Sequence, residues 1–358
     1  MPTMPTRTLG RTGLAVGVIG LGTEYLRGNR QIAVDTIHAA IAAGVNYFDV
    51  LMPMPDYRDN MGAAFRGLRD RAILTCHLGG VVQDGQWGMS RDPVVCAAYV
   101  DDWLTRLGTD YIDILNITCV DKAEDYDRIV SPGGVLDLAI RLKEQGKARF
   151  IGLSGHETAI ANKAIAHGAF DVLTQGCNLT WPIAATGRAC AEAGVGLVAM
   201  KPYAGGELFH PPYASFVTPA LAIAHVLAQP GVTTVIPGVA NVDQLSDALS
   251  YLTNPIAADE LAALGTRFDE LVRGTCIYCN HCLPCPVGIP IGDVLRALRG
   301  LGWGLSYAPA MAAGMATLPQ MCTACGDCLD RCPFGVDVPA EMSKAVEAFA
   351  PYKQGPGA

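Results

Sequence analysis

Two periodicities alternate over residues 14–250. Short runs rich in β-branched residues, "LAVGVIGLG" (14–22), "VNYFDV" (45–50), "AILTCHLGG" (72–80), "YIDILNITCV" (111–120), "ARFIGLSGH" (148–156), "DVLTQGCNL" (171–179), "VGLVAMKPY" (195–203) and "GVTTVIPGV" (231–239), have the length and composition of buried strands. Between them the apolar positions recur at helical spacing. "IAVDTIHAAIAAG" predicts a helix closed by Gly44, and "AAYVDDWLTRLG" and "VLDLAIRLKEQGK" each place an apolar stripe on one helical face. Eight strands alternating with helices predict an α/β fold, a parallel (β/α)8 TIM barrel with its chemistry on the loops at the strand C-terminal ends. A Rossmann sheet is the alternative. It is disfavoured because the first strand–helix turn lacks the spaced glycines that cradle a pyrophosphate.

The pattern changes near residue 265, which sets the expected boundaries: a barrel over 1–270, a small α-helical ferredoxin-like domain over 271–345, and a polar tail over 346–358. The second segment holds two cysteine runs. Cys276, Cys279, Cys282 and Cys285 are each two residues apart and end at Pro286; Cys322, Cys325, Cys328 and Cys332 end at Pro333. Three cysteines at C-x2-C-x2-C spacing wrap three corners of a cubane, whereas a fourth before proline is poorly placed for the same cube. Zinc would want two paired knuckles around one tetrahedral ion. The two quartets therefore predict two [4Fe–4S] clusters, with these eight cysteines as metal ligands. A residue before proline leaves the tight loop extended. Crossed ligation follows as the expectation: Cys276, Cys279 and Cys282 with Cys332, and Cys322, Cys325 and Cys328 with Cys285. A first quartet closed on itself is the alternative.

Composition narrows the function. Half of the 358 residues are hydrophobic and 17% are charged, so a large core is expected. The net charge of -8 offers no basic stripe for nucleic acid. The opening "MPTMPTRTLGRTG" has no apolar run behind it of the signal-peptide kind, and the uncharged stretch 300–320 is broken by glycines and prolines, so no membrane span is expected. Thirteen cysteines without a signal sequence point to a reducing cytoplasm and metal. Cys76, Cys96, Cys119, Cys177 and Cys190 read as core filler, although Cys119 and Cys177 fall at strand ends and could face a barrel mouth.

The segments "RTLGRTGLAVGVIGLGT", "GVNYFD", "RLGTDYIDIL", "GKARFIGLSG" and "QPGVTTVIPGV" resemble the aldo/keto reductase superfamily, and with the cysteine-rich tail the chain resembles its ferredoxin-type branch. The resemblance covers residues 6 to about 340. It implies a tetrad of Asp, Tyr, Lys and His that reduces a carbonyl with hydride from NADPH, the phenol acting as a tuned general acid. Asp49 occupies the Asp position. Met54, His77 and Thr118 stand where the family has Tyr, Lys and His. A methionine has no acidic proton, so the standard mechanism should be absent. The candidate catalytic residues are then Asp49, His77 and Tyr57, with Tyr25 as a second phenol and Arg58 as a holder of anions. The family's Ser-Asn pair for the nicotinamide amide reads Ser154–Gly155, its Gln position is Thr174, and its ring-stacking Tyr position is Cys177. Ser154, Asn178, Lys201, Gly238, Asn241 and Gln244 are the candidate nucleotide contacts that remain. No arginine follows in 237–250 to take a 2′-phosphate.

Nicotinamide moves a hydride and a cubane moves one electron, so coupling the two needs a converter such as flavin, for which no site is identified. The expected function is an iron–sulfur oxidoreductase on a small-molecule substrate, its electrons passed one at a time from an external carrier such as ferredoxin or flavodoxin. The alternatives are an NAD(P)H-dependent aldo/keto reductase with auxiliary clusters, a non-redox barrel enzyme, and an electron-transfer protein with an inactive barrel.

Overall fold

The computed structural model describes residues 3–181, 183–254 and 256–353, without the side chains of Thr266 and Asp269. The expected polar tail therefore lies outside the described residues from 354 onward. The chain forms two compact units, Met1–Pro202 with Pro219–Ile256, and Tyr203–Thr218 with Ala257–Ala358.

The first unit opens with an antiparallel pair, β1 (Thr6–Thr8) and β2 (Ala15–Gly17). Eight parallel strands follow: β3 (Leu21–Gly22), β4 (Tyr47–Val50), β5 (Ile73–Leu78), β8 (Ile112–Ile117), β9 (Ala148–Gly155), β10 (Val172–Gly176), β11 (Gly196–Met200) and β12 (Val232–Ile236), hydrogen-bonded in that order. Parallel bridges from Ile19 to Val235 and from Gly22 to Gly238 join the two edges, so the (β/α)8 barrel closes. The expected first strand 14–22 is thus two pieces, one arm of the opening hairpin and one short barrel strand. A second hairpin, β6 (Gly80–Gln83) and β7 (Gln86–Met89), is inserted after β5. Its turn residues Asp84 and Gly85 have φ of 50° and 73°, the left-handed geometry for which Asp-Gly is suited.

The outer helices include α1 (Arg30–Ala42), α2 (Pro55–Phe65), α3 (Pro93–Leu107), α4 (Ala123–Val130), α5 (Val135–Glu144), α6 (Thr158–His167), α7 (Ala184–Ala193), α8 (Pro219–Leu227) and α9 (Val242–Thr253). Helix α1 is capped by the Asn29 side chain, which accepts from Gln31 N and Ile32 N, and Gly44 follows it at φ 91°. Helix α3 starts on Asp92 and ends on Gly108 in the left-handed region. The bottom of the barrel is filled by Leu9, Val16, Tyr47, Ile114, Val172, Val198 and Ile236. Asp113 faces the opposite side of β8. It is 2% exposed and holds Arg69, Arg149 and the Leu74 amide at 2.7, 2.7 and 3.0 Å.

The second unit contains α10 (Ala258–Leu271), α11 (Ile291–Gly302), α12 (Ala308–Gly314), α13 (Asp327–Arg331) and α14 (Val338–Ala348). Segment 203–218, which interrupts the barrel sequence between β11 and α8, packs within this unit. Its Glu207 is 2% exposed and accepts from Arg296 Nε at 2.8 Å and Tyr307 OH at 2.5 Å. His210 stacks on Trp303 with centroids 5.0 Å apart. One turn beyond Arg296, Arg299 donates to the carbonyl of Cys276 at 2.7 Å. Among the described residues no helix is long and apolar enough to cross a membrane.

Candidate functional site

Strand alternation stacks the barrel interior in layers. Above the apolar floor lies a polar layer: the Thr75 hydroxyl donates to Tyr47 OH at 2.7 Å, and Asn116 Nδ2 donates to Thr174 Oγ1 at 3.0 Å. A side chain at Gly152 would meet Asn116 Oδ1 at 1.9 Å, so this layer needs glycine on β9. Two residues further along the same strands come Asp49, His77, Thr118 and Ser154. They form one chain: His77 Nε2 lies 2.6 Å from Asp49 Oδ1, His77 Nδ1 2.8 Å from Thr118 Oγ1, and Ser154 Oγ 3.4 Å from Thr118 Oγ1. Three tetrad positions are therefore linked through the imidazole. The carboxylate fixes a proton on Nε2 and leaves Nδ1 of the neutral ring to accept from Thr118. Both ring nitrogens are engaged, and His77 is only 5% exposed.

The other candidates are dispersed. Met54 precedes α2 at its N-cap position, without a side-chain capping hydrogen bond. Tyr57 is fully buried, with its OH 2.5 Å from Thr23 Oγ1 and its ring edge-on to Trp103. Burial drives its phenol pKa well above the ordinary value, against the opposing Thr23 hydrogen bond. Arg58 does not reach the mouth, contrary to the expectation that it holds an anion there. It is ion-paired with Asp102 of α3 and lies over the Tyr99 and Trp103 rings. The Tyr25 ring lies against Gly238, where a Cβ would meet it at 2.7 Å. Asn241 and Gln244 are used by the backbone at the start of α9: Asn241 Oδ1 caps the helix by accepting from Gln244 N at 2.9 Å, and Gln244 Oε1 accepts from Ala240 N at 2.8 Å. Asn178 Oδ1 accepts from Thr180, and its Nδ2 donates to the Lys201 carbonyl at 3.2 Å. Lys201 is exposed at φ 58°.

A second histidine–carboxylate pair sits on the loops above this chain. Asp121 follows β8 and His156 follows β9. Asp121 Oδ1 accepts from His156 N at 2.5 Å, and Asp121 Oδ2 lies 2.9 Å from His156 Nδ1. Burial pushes the Asp121 pKa up, but the hydrogen bonds and charge of His156, with Lys201, outweigh it and hold the carboxyl below its usual range. His156 Nε2 is enclosed and has no hydrogen-bond partner. The ring stacks on Trp181, whose indole lies over Gly176 at the end of β10. Sequence reasoning passed over this pair. Its signal was Gly155: a Cβ there would meet Val120 O at 2.6 Å and Asp121 Oδ1 at 3.0 Å. The Asp121 carboxylate occupies the space that the family's asparagine needs.

In the second unit, Cys285, Cys322, Cys325 and Cys328 line one cavity with Pro286, Ile289 and Met342. Burial pushes the Cys328 thiol up, and Cys322, Cys325 and Cys285 push the same way. Cys282 is likewise raised by burial and then by Cys279, Cys332 and Cys328. Backbone amides already point at sulfur: Tyr278 N donates to Cys276 Sγ at 3.4 Å and Val336 N to Cys332 Sγ at 3.5 Å. Left-handed residues Tyr278, Asn280 and Ala324 wind the loops around the cysteines. Among the described residues no three His, Cys, Asp or Glu side chains converge as on a single ion. Cys285, Cys322, Cys325 and Cys328 around one cavity, with amides donating to Cys276 and Cys332 of the same two runs, suit iron–sulfur ligation.

Comparison with known proteins agrees with both units. The aldo/keto reductase family matches residues 13–212, and a 4Fe-4S dicluster domain matches residues 274–336. L-galactose dehydrogenase of Arabidopsis thaliana is 26% identical over 309 residues, 76% of this chain and 93% of that protein. The uncharacterized oxidoreductase YqkF of Bacillus subtilis is 25% identical over 306 residues, 73% of this chain and 95% of that protein. The holo form of aldo-keto reductase AKR11C1 from Bacillus halodurans superposes with a TM-score of 0.64 at 22% identity, covering 74% of this chain and 96% of its own. The chain belongs to the aldo/keto reductase family and is an oxidoreductase that carries a 4Fe-4S dicluster domain in its C-terminal region.

Proposed function

We propose that the protein interconverts a small hydroxyl- or carbonyl-bearing molecule at the barrel mouth, with electrons passed one at a time rather than as hydride. The observation that carries this reading is the Asp49–His77–Thr118 chain. Where the family's chemistry needs an acidic phenol and an ammonium, this chain has a methionine and an imidazole with both nitrogens engaged. The substrate class follows the names of the relatives, which include L-galactose dehydrogenase and pyridoxal 4-dehydrogenase.

Two [4Fe–4S] clusters supply one-electron transfer, and an external carrier such as ferredoxin or flavodoxin supplies or removes the electrons. Cys276, Cys279, Cys282 and Cys332 hold one cluster; Cys285, Cys322, Cys325 and Cys328 hold the other. The shared cavity of Cys285 with the second run supports this crossed arrangement. In the barrel, Asp49 holds the His77 ring and its Nε2 proton. His77 Nδ1 orients the Thr118 hydroxyl, which meets Ser154 Oγ. Tyr57 fixes Thr23 beneath the mouth, and Thr23 donates to the Asp49 carbonyl at 2.7 Å.

The test is single turnover. Anaerobic holoprotein is reduced, excess reductant is removed, and the visible absorbance is followed while small aldehydes, ketones and sugar lactones are added singly. Re-oxidation by a subset of these compounds is expected. Failure of every compound, together with NADPH-driven aldehyde reduction by cluster-free protein, overturns the reading.

A further inference from the structure

We propose that His156, held by Asp121, is the group that exchanges a proton directly with substrate at the barrel mouth. The inference rests on the reading of that mouth as an oxidoreductase site. Four observations converge on it. Asp121 grips His156 twice, through the backbone amide at 2.5 Å and through Nδ1 at 2.9 Å. A carboxylate on Nδ1 fixes the proton there and leaves Nε2 of the neutral ring with its lone pair. That Nε2 is enclosed without a partner, whereas both nitrogens of His77 are occupied. A buried polar atom without a partner is costly and calls for a function. Finally, Gly155 leaves the space that Asp121 fills, so the departure from the family at this position makes the pair possible.

The step is a proton transfer. In the oxidative direction the substrate O–H bond breaks and an Nε2–H bond forms; the C–H bond also breaks, its proton going to water and its electron pair leaving one electron at a time to an external one-electron acceptor. Asp121 balances the imidazolium, and the proton leaves to water. In the reductive direction two electrons come from a low-potential one-electron carrier. The ring first takes a proton from water on Nε2; the carbonyl oxygen then takes that proton from the imidazolium and the carbon takes a second from water, giving the alcohol. The Trp181 ring, stacked on His156 at 5.8 Å and 22°, holds the imidazole plane and offers an apolar wall to the substrate.

Two measurements test this. The first needs no substrate. Long-range proton–nitrogen correlation spectra of oxidised holoprotein with ¹⁵N-labelled histidine report which ring nitrogen of His156 is bare. A protonated Nδ1 and a bare Nε2 are expected, with a mixture of tautomers in Asp121→Asn. A proton resident on Nε2 of the neutral ring overturns the proposal. The second uses reduced methyl viologen as donor and the compounds that re-oxidise the clusters. His156→Gln should lower turnover at least 100-fold while viologen still reduces its clusters at the wild-type rate, and Asp121→Asn should lower kcat with little change in KM. Wild-type turnover in His156→Gln overturns the proposal. If wild-type protein turns over none of these compounds, the functional reading fails while the tautomer result still decides the pairing.

Discussion

Replacing Gly155 by the family's own asparagine should damage this barrel rather than repair it. The added Cβ would sit 2.6 Å from Val120 O, 3.3 Å from Val120 C and 3.0 Å from Asp121 Oδ1. The first two are backbone atoms, and Val120 is pinned because its N–H donates to Ser154 O at 2.9 Å. Overpacking against atoms that cannot give costs about 1–3 kcal/mol. Displacing Asp121 from His156 adds about 0–1 kcal/mol, because that pair is partly screened by solvent. The sum centres on ~2.5 kcal/mol, more than tenfold in the folding equilibrium, since ~1.4 kcal/mol is a factor of ten. Urea titration followed by tryptophan fluorescence measures it as a fall in midpoint at constant slope. Gly155→Ala carries the same Cβ and should lose most of the same stability. Variants within ~0.5 kcal/mol of wild type, the range of ordinary surface substitutions, would refute the claim that Asp121 and Val120 fill this space.

Cys285→Ser should degrade first the cluster held by Cys322, Cys325 and Cys328, since Cys285 lines their cavity; primary loss of the other cluster in spectra of the variant would contradict crossed ligation. Asp113→Asn should destabilise the barrel by about 2 kcal/mol in the same urea assay, below the roughly 3–5 of a fully buried pair because Arg149 stays 46% exposed; a neutral result would show that Arg69 and Arg149 find other partners. Burial lowers the pKa of His225 in α8, so the unfolded chain binds a proton that the folded chain resists. Wild type should therefore lose stability relative to His225→Leu as pH falls through about 6.5, and a difference between the two that is independent of pH would show that the ring protonates freely in place.

Most of the barrel was legible because its strands are buried on both faces and read as continuous apolar runs. The opening pair was not, because β1 is "TRT", wholly exposed and without apolar alternation. The inserted hairpin did carry a signal, "VVQDGQWGM", with Asp-Gly between two short arms, but the expected strand 72–80 stops short of it and the alternating strand–helix pattern leaves no place for it. The cysteine quartets were legible because metal binding constrains local spacing. The candidate catalytic groups resisted for the opposite reason. Asp49 and His77 could be placed through the resemblance, by matching the family's tetrad positions, whereas Asp121 and His156 meet across 35 residues on loops whose conformation no periodicity reports. Arg58 shows a further limit: its position on α2 was correct, but helix rotation turns it to α3, where Asp102 and two aromatic rings surround it.

The central claim is that electrons reach the barrel substrate through the clusters and not as hydride from nicotinamide. One measurement addresses it directly: anaerobic turnover of a compound that re-oxidises the reduced protein, with reduced methyl viologen or NADPH as donor, in holoprotein and in Cys322→Ser. The account predicts turnover with viologen in holoprotein, its loss in Cys322→Ser, and no turnover with NADPH above background in either, because losing tuned acid catalysis costs about 10²–10⁴-fold. NADPH-driven turnover that survives in Cys322→Ser would contradict it.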